Sequence, residues 1–191
     1  MKRIFIITLF AASLSTAAFA NSELPKLPYY DWGACPFECC TYQEWEAVTP
    51  VALHEAMSKK SKIAFQVKEG ERFQGVTGVV ITYDYGKTKI LKPIKAYLPK
   101  DNQQTLILKP GETVYTLHYV GEGHDLFWYK GKVYVGAIAG EETTPDPPPS
   151  EFGVQVLSRP KYVWWVQVKN NKGQIGWTNE TKAFKHIDAC E

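Results

Sequence analysis

Three of the four cysteines in this 191-residue chain, Cys35, Cys39 and Cys40, fall within six residues of one another, and the fourth, Cys190, is next to last. No other feature constrains the fold as much, because a bridge to Cys190 must bring the two ends of the chain together. Four cysteines allow three pairings. The one joining the neighbours Cys39 and Cys40 reaches disulfide geometry only with a strained backbone. Each of the other two ties Cys190 to the cluster, and closing so long a loop stabilises by roughly 4 to 5 kcal/mol in the chain-entropy model. The rival reading, a metal or thiol centre shared with His54, His118, His124 or His186, lacks support, since no histidine lies at zinc-ligand spacing from the cluster.

Disulfides persist in oxidising compartments, and the first twenty residues supply such an address. Lys2 and Arg3 form a basic start, Ile4 to Leu14 are almost wholly apolar, and Ala18-Phe19-Ala20 has the small-x-small pattern of a cleavage site. The apolar run is too short for a spanning helix, which needs about 20 apolar residues, and Ser13, Ser15 and Thr16 dilute it. The expected product begins at Asn21, is periplasmic or secreted, and has no stable membrane insertion. The formal charge of +2, from 22 basic and 20 acidic residues, is accounted for by Lys2 and Arg3, so the mature chain is neutral. Such a chain has no electrostatic footprint for nucleic acid.

The mature sequence reads as short strands. Ile63, Phe65 and Val67 alternate with Ala64, Gln66 and Lys68, the period of a strand with one buried face. Val79 to Tyr83 is β-branched and aromatic, and Asp84-Tyr85-Gly86 offers a turn toward Lys89 to Leu91 as a returning partner. Leu126 to Tyr129 pairs in the same way with Lys132 to Ala137 around Lys130-Gly131. The clearest hairpin joins Trp164, Val166 and Val168 through Asn170-Asn171-Lys172-Gly173 to Ile175 and Trp177. Residues Thr49 to Met57 have a helical cap and Pro50 at the first helical position, but Val48, Val51 and Leu53 serve a strand equally well.

A phrase recurs at a period of 41 residues: Val67-Lys68-Glu69-Gly70-Glu71-Arg72-Phe73 matches Leu108-Lys109-Pro110-Gly111-Glu112-Thr113-Val114 in its apolar, Lys, Gly, Glu and apolar positions. Each is a strand, a turn and the next strand. Two related small barrels or a shared turn solution both account for it.

Lys109 to Leu117, then Trp164-Trp165-Val166-Gln167-Val168, then Gly173-Gln174-Ile175-Gly176-Trp177 resemble the bacterial SH3-like domain, which has a glycine turn before an apolar strand, a Trp-and-Val strand and a closing Gly-Trp. Trp32 to Cys40 together with Asp188-Ala189-Cys190 also resemble a group of exported bacterial proteins bearing such domains. The resemblance implies an all-β chain of one or two small SH3-like antiparallel barrels, stapled by Cys35, Cys39, Cys40 and Cys190, and it favours the strand reading of Val48 to Leu53. The expected division is a signal peptide over 1–20, a cysteine-containing segment over 21–45, a first SH3-like unit over 46–108 and a second over 109–191. Residues 140–151 are a proline-rich insertion in the second unit, since their prolines lack the donors a central strand needs.

Catalytic signatures are missing. There is no Gly-x-Ser-x-Gly elbow, phosphate-cradling glycine loop or His-Glu-x-x-His helix. The best polar cluster, Glu122, His124 and Asp125, reads as a solvated hairpin loop unless a pocket separates the carboxylate pKa values. Aromatic residues carry the functional reading instead. Trp164 and Trp165 must point to opposite sheet faces, so if Trp164 joins the core, Trp165 faces outward, and Trp128 separates likewise from Phe127 and Tyr129. Tyr119, Trp128, Trp165 and Trp177 are therefore the candidate binding residues, suited to an extended peptide. The expectation is a non-catalytic module of the envelope with no cofactor, whose partner is a peptidoglycan peptide or an envelope protein. The alternatives are a cell-wall hydrolase or its accessory, built on Glu122, His124 and Asp125, and a structural envelope component.

Overall fold

In a computed structural model of the chain, the structure describes residues 24–99, 101–139 and 153–190. The leader and the proline-rich insertion lie outside the described residues. Among these residues fifteen strands occur in chain order: β1 (Tyr29–Trp32), β2 (Glu44–Ala47), β3 (Val51–His54), β4 (Ile63–Val67), β5 (Arg72–Asp84), β6 (Gly86–Ile90), β7 (Ile94–Leu98), β8 (Asp101–Leu108), β9 (Thr113–Gly121), β10 (His124–Tyr129), β11 (Lys132–Gly136), β12 (Val154–Ser158), β13 (Lys161–Lys169), β14 (Ile175–Thr178) and β15 (Phe184–Lys185). The protein is all-β, with one short 3-10 turn at Thr181–Ala183 among the described residues.

The strands form two antiparallel sheets. One runs β15-β2-β5-β13-β14-β3-β4, with β1 added on β5, and the other runs β12-β6-β9-β10-β11-β7-β8. With β1 set aside and the other seven strands of each sheet numbered in chain order, both have the spatial order seventh, first, fourth, fifth, sixth, second, third. The second sheet is therefore a copy of the first in topology, nested between the fourth and fifth strands of the outer one. The sheets do not divide the chain near residue 108. The outer unit combines strands from residues 29–84 with strands from 161–185, and the nested unit spans 86–158.

The recurrent phrase is where the copies superimpose in detail. In the outer unit Glu71 accepts from the Lys68 N–H at 3.0 Å, and Gly70 N–H donates to Ala47 at 2.8 Å. In the nested unit Glu112 accepts from the Lys109 N–H at 2.7 Å, and Gly111 N–H donates to Ile90 at 2.8 Å. Both glycines hold positive φ, 75° and 91°, the region that favours glycine. The cores match as well. Ala47, Leu53, Val67, Phe73, Val166, Val168 and Phe184 bury in one, and Ile90, Ala96, Leu108, Val114, Phe127, Tyr129 and Val154 in the other.

Several local readings meet the structure directly. Tyr129 pairs with Lys132 around Lys130-Gly131, and Lys169 pairs with Ile175 around the Asn170 turn. There Asn170 Oδ1 accepts from the N–H groups of Lys172 and Gln174, each at 3.0 Å. Of the two readings of Thr49 to Met57, the strand is the one found, at Val51–His54. Val51 and Leu53 are buried while Ala52 and His54 are half-buried, because β3 is held between β4 and β14. The expected pairing of Val79–Tyr83 with Lys89–Leu91 is also replaced, since β5 pairs with β13 and β6 leaves for the other sheet. At this crossing a Cβ on Gly86 would lie 2.7 Å from the Ser158 carbonyl oxygen and 2.9 Å from Pro160, so the outgoing and returning connections pass in contact.

Two disulfides close the molecule, Cys35–Cys40 and Cys39–Cys190, and no described cysteine is free. Backbone bonds reinforce the second: Ala189 N–H donates to Cys39 at 2.8 Å and Thr41 N–H to Ile187 at 3.0 Å. The two units meet through the buried ring of His118. Its Nε2 lies 3.0 Å from Asp31 Oδ2, and its Nδ1 lies 2.7 Å from the Tyr119 carbonyl oxygen.

Candidate functional site

Strand β1 is placed by its alternation. Tyr29 and Asp31 turn toward the nested unit, where Tyr29 packs on Leu117, Leu126 and Val135 and Asp31 meets His118. Tyr30 and Trp32 take the other face, as strand geometry requires. They are 43% and 64% exposed, with ring centroids 6.2 Å apart and planes within 17°. β1 pairs with β5 in the register Tyr30 to Ile81 and Trp32 to Val79, and its other edge carries no strand among the described residues.

The chain leaving β1 becomes the disulfide loop. Gly33 N–H donates to Gly78 at 2.8 Å. The Ala34 carbonyl then accepts from Trp164 Nε1 at 3.1 Å and from the Tyr42 hydroxyl. Phe37 sits edge-on to Trp164 at 5.6 Å. Beyond it, an open cleft separates Phe37, Glu38, Cys39 and Cys40 from Tyr97, Val120, Glu122 and His124 of the nested unit.

The candidate binding residues do not come together. Trp165 is only 5% exposed and buried among Val79, Ile81, Met57, Val163 and Trp177, so its outward-facing assignment is overturned. The outer sheet carries apolar side chains on both faces here: Trp164 contributes to the cluster with Trp45, and Trp165 to a second one behind it. Trp128, Tyr119 and Trp177 are half-buried, and Trp128 does part from the buried Phe127 and Tyr129 as expected.

Glu122, His124 and Asp125 do not assemble either. Glu122 sits at the exposed hairpin tip with φ of 51°, and its carbonyl oxygen lies 2.8 Å from His124 Nδ1. Asp125 is 1% exposed and its carboxylate accepts from the Ala139 N–H at 2.6 Å. The metal-type ligand group found among the described residues, Cys39, Asp188 and Cys190, has both sulfurs joined in the disulfide.

Tyr30 and Trp32 are the residues the sequence reading missed. The signal that marks them is the four-residue alternation Tyr29-Tyr30-Asp31-Trp32, too short to stand out beside the cysteine cluster. Fold and surface together define a disulfide-bonded all-β protein of two nested, topologically identical sheets. Comparison with known proteins adds no relative, since no family model, curated protein or solved structure matches the chain.

Proposed function

We propose that this chain is an exported, non-catalytic binding module of the bacterial envelope, with two SH3-like barrels nested one in the other, that takes an extended peptide on strand β1. The peptide comes from peptidoglycan or an envelope protein. The observation that carries this reading is the exposure of Trp32 and Tyr30 on a strand with one edge unpaired among the described residues. A peptide laid along that edge gains main-chain hydrogen bonds, while the amphipathic rings pack on its side chains. The leader-type N-terminal sequence and the disulfides are consistent with a partner outside the cytoplasm.

Co-sedimentation of the mature protein with purified peptidoglycan sacculi, alongside capture from an envelope extract, tests the reading. Trp32→Ala should abolish whichever association is seen without changing thermal stability. Association that survives both Trp32→Ala and Tyr30→Ala overturns the assignment to β1, and no association with either material overturns the function.

A further inference from the structure

A second face, on the nested unit, has a different character. The strand registers set Lys87 opposite Tyr115, Tyr115 opposite Trp128, and Trp128 opposite Val133, so these four residues form one row on the sheet face away from Phe127 and Tyr129. Lys89 stands opposite Thr113 on the same face. Both lysines are exposed, Tyr115 and Trp128 are half-buried, and Tyr85 packs edge-on against Tyr115 at 5.0 Å. At one end the row meets the edge strand β12, whose Leu157 is 55% exposed. At the other it runs through Val133 into the apolar cluster that Tyr29 seals between the units. The row is thus a half-buried continuation of an interface already in use.

The duplicate unit supplies an internal comparison. At the matching positions the outer sheet has Glu44 opposite Gln74 and Glu46 opposite Arg72. With Gln74 and Arg72 equivalent to Tyr115 and Thr113 in the repeat, Glu44 and Glu46 correspond to Lys87 and Lys89. The outer carboxylates are neutralised at home, Glu44 by Arg72 at 3.0 Å and Glu46 by Lys185 at 2.7 Å. Neither Lys87 nor Lys89 has a carboxylate partner among the described residues. Glu112, in the cleft beside Tyr115, is already engaged by the Lys109 N–H, the Tyr129 hydroxyl and Lys130. The same fold position is therefore charge-balanced in one copy and, among the described residues, carries cations without a carboxylate partner beside aromatic rings in the other.

We infer that the Lys87–Tyr115–Trp128 row is a docking surface for an acidic, extended segment of a partner protein. Carboxylates of that segment meet Lys87 and Lys89, and its apolar side chains cover Tyr115 and Trp128. Charge complementarity selects the sign of the partner. Two lysines on a chain of formal charge +2 are too sparse for a polyanion such as nucleic acid, which needs a wide basic patch, while the rings and Leu157 require apolar groups that a polypeptide supplies.

The test uses the mature, disulfide-bonded protein and a short fluorescein-labelled peptide of alternating glutamate and leucine, read by anisotropy. The Lys87→Glu, Lys89→Glu double variant, which alters exposed side chains only, should weaken binding by about tenfold or more, as should Trp128→Ala. The corresponding lysine–leucine peptide should not bind. Unchanged binding by the double variant overturns the inference, and so does equal binding of polyglutamate, which would mean ion exchange. Loss on Trp32→Ala with the lysine variant unaffected places the peptide on β1 and overturns this inference alone. Self-association in sedimentation that the lysine substitutions abolish identifies a second copy as the occupant and likewise overturns it.

Discussion

The Trp164 indole N–H donates to the Ala34 carbonyl oxygen at 3.1 Å across 130 residues of sequence, fastening the disulfide loop to the central strand pair of the outer sheet. Tyr42 donates to the same oxygen, and Gly78 makes room for the group. A Cβ there would lie 2.2 Å from the Tyr42 hydroxyl, 2.3 Å from Trp164 Nε1 and 2.8 Å from the Ala34 oxygen. Gly78→Ala should therefore destabilise by about 2 to 3 kcal/mol, as overpacking of a filled site does. Trp164→Phe, which removes one of two donors, should cost nearer 1 to 2 kcal/mol. Denaturant midpoints measure both, and a Gly78→Ala variant as stable as wild type would contradict the packing.

Burial pushes the Tyr42 hydroxyl up to about 12, and the charge of Asp31 adds to the rise while the Trp164 bond opposes it. The neutral hydroxyl is the form the fold favours. Its contribution is fully present below the ordinary tyrosine value of 10.0 and is lost as pH rises through about 12. Alkaline unfolding of the wild type should begin in that window, and Tyr42→Phe should flatten it. A Tyr42→Phe profile that overlays the wild type would show that another group governs alkaline loss.

Glu112 behaves in the opposite sense. The Lys109 N–H, followed by the Tyr129 hydroxyl and Lys130, holds its carboxyl down from 4.5 to about 2. Its stabilisation is present above the ordinary value and is lost as pH falls from about 4.5 toward 2. Glu112→Gln should cost about 1 to 2 kcal/mol at neutral pH, with a difference from wild type that shrinks on acidification. A gap independent of pH would assign the loss to shape rather than charge.

Local chemistry was legible in the sequence wherever neighbours decide it. The turns at Lys130-Gly131 and Asn170–Gly173 and the strand at Ile63–Val67 appear where the pattern puts them. The repeat turned out to mark a duplicated topology. Nesting was not legible, because nothing near Asp84 says that its strand partner is Lys161 rather than a residue just past the turn. Trp165 was misplaced for a related reason. Alternation tells which residues share a face, but whether both faces are covered depends on residues distant in sequence, here Met57 and Trp177.

That distinction separates two tryptophans experimentally. Trp165→Ala opens a hole in a closed cluster and should cost about 3 to 5 kcal/mol, making it a stability variant rather than a binding one. Trp32→Ala removes a ring 64% exposed and should stay within about 0.5 kcal/mol of wild type. Thermal scans of the pair decide the matter, and equal losses would mean that Trp32 is covered in solution.

Nesting makes its own prediction. Asp84 and Lys161 are cross-strand partners in the outer sheet, so the nested unit hangs from two adjacent strand ends and a short Asn-Gly turn can replace residues 85–160. The shortened chain keeps its outer core and both disulfides, including Cys39–Cys190, whose long loop shortens and so stabilises somewhat less by chain entropy. It loses the Thr82 hydroxyl's bond to the Leu117 carbonyl at 2.9 Å, the Asp31 contact with His118 and the cover over Tyr29. Stability should fall, yet the chain should fold, with a strand-dominated circular dichroism spectrum and non-reduced peptide maps showing Cys35–Cys40 and Cys39–Cys190. Scrambled disulfides or a spectrum without strand would mean that the two sheets fold only together, and that the duplicated topology describes one cooperative unit rather than two.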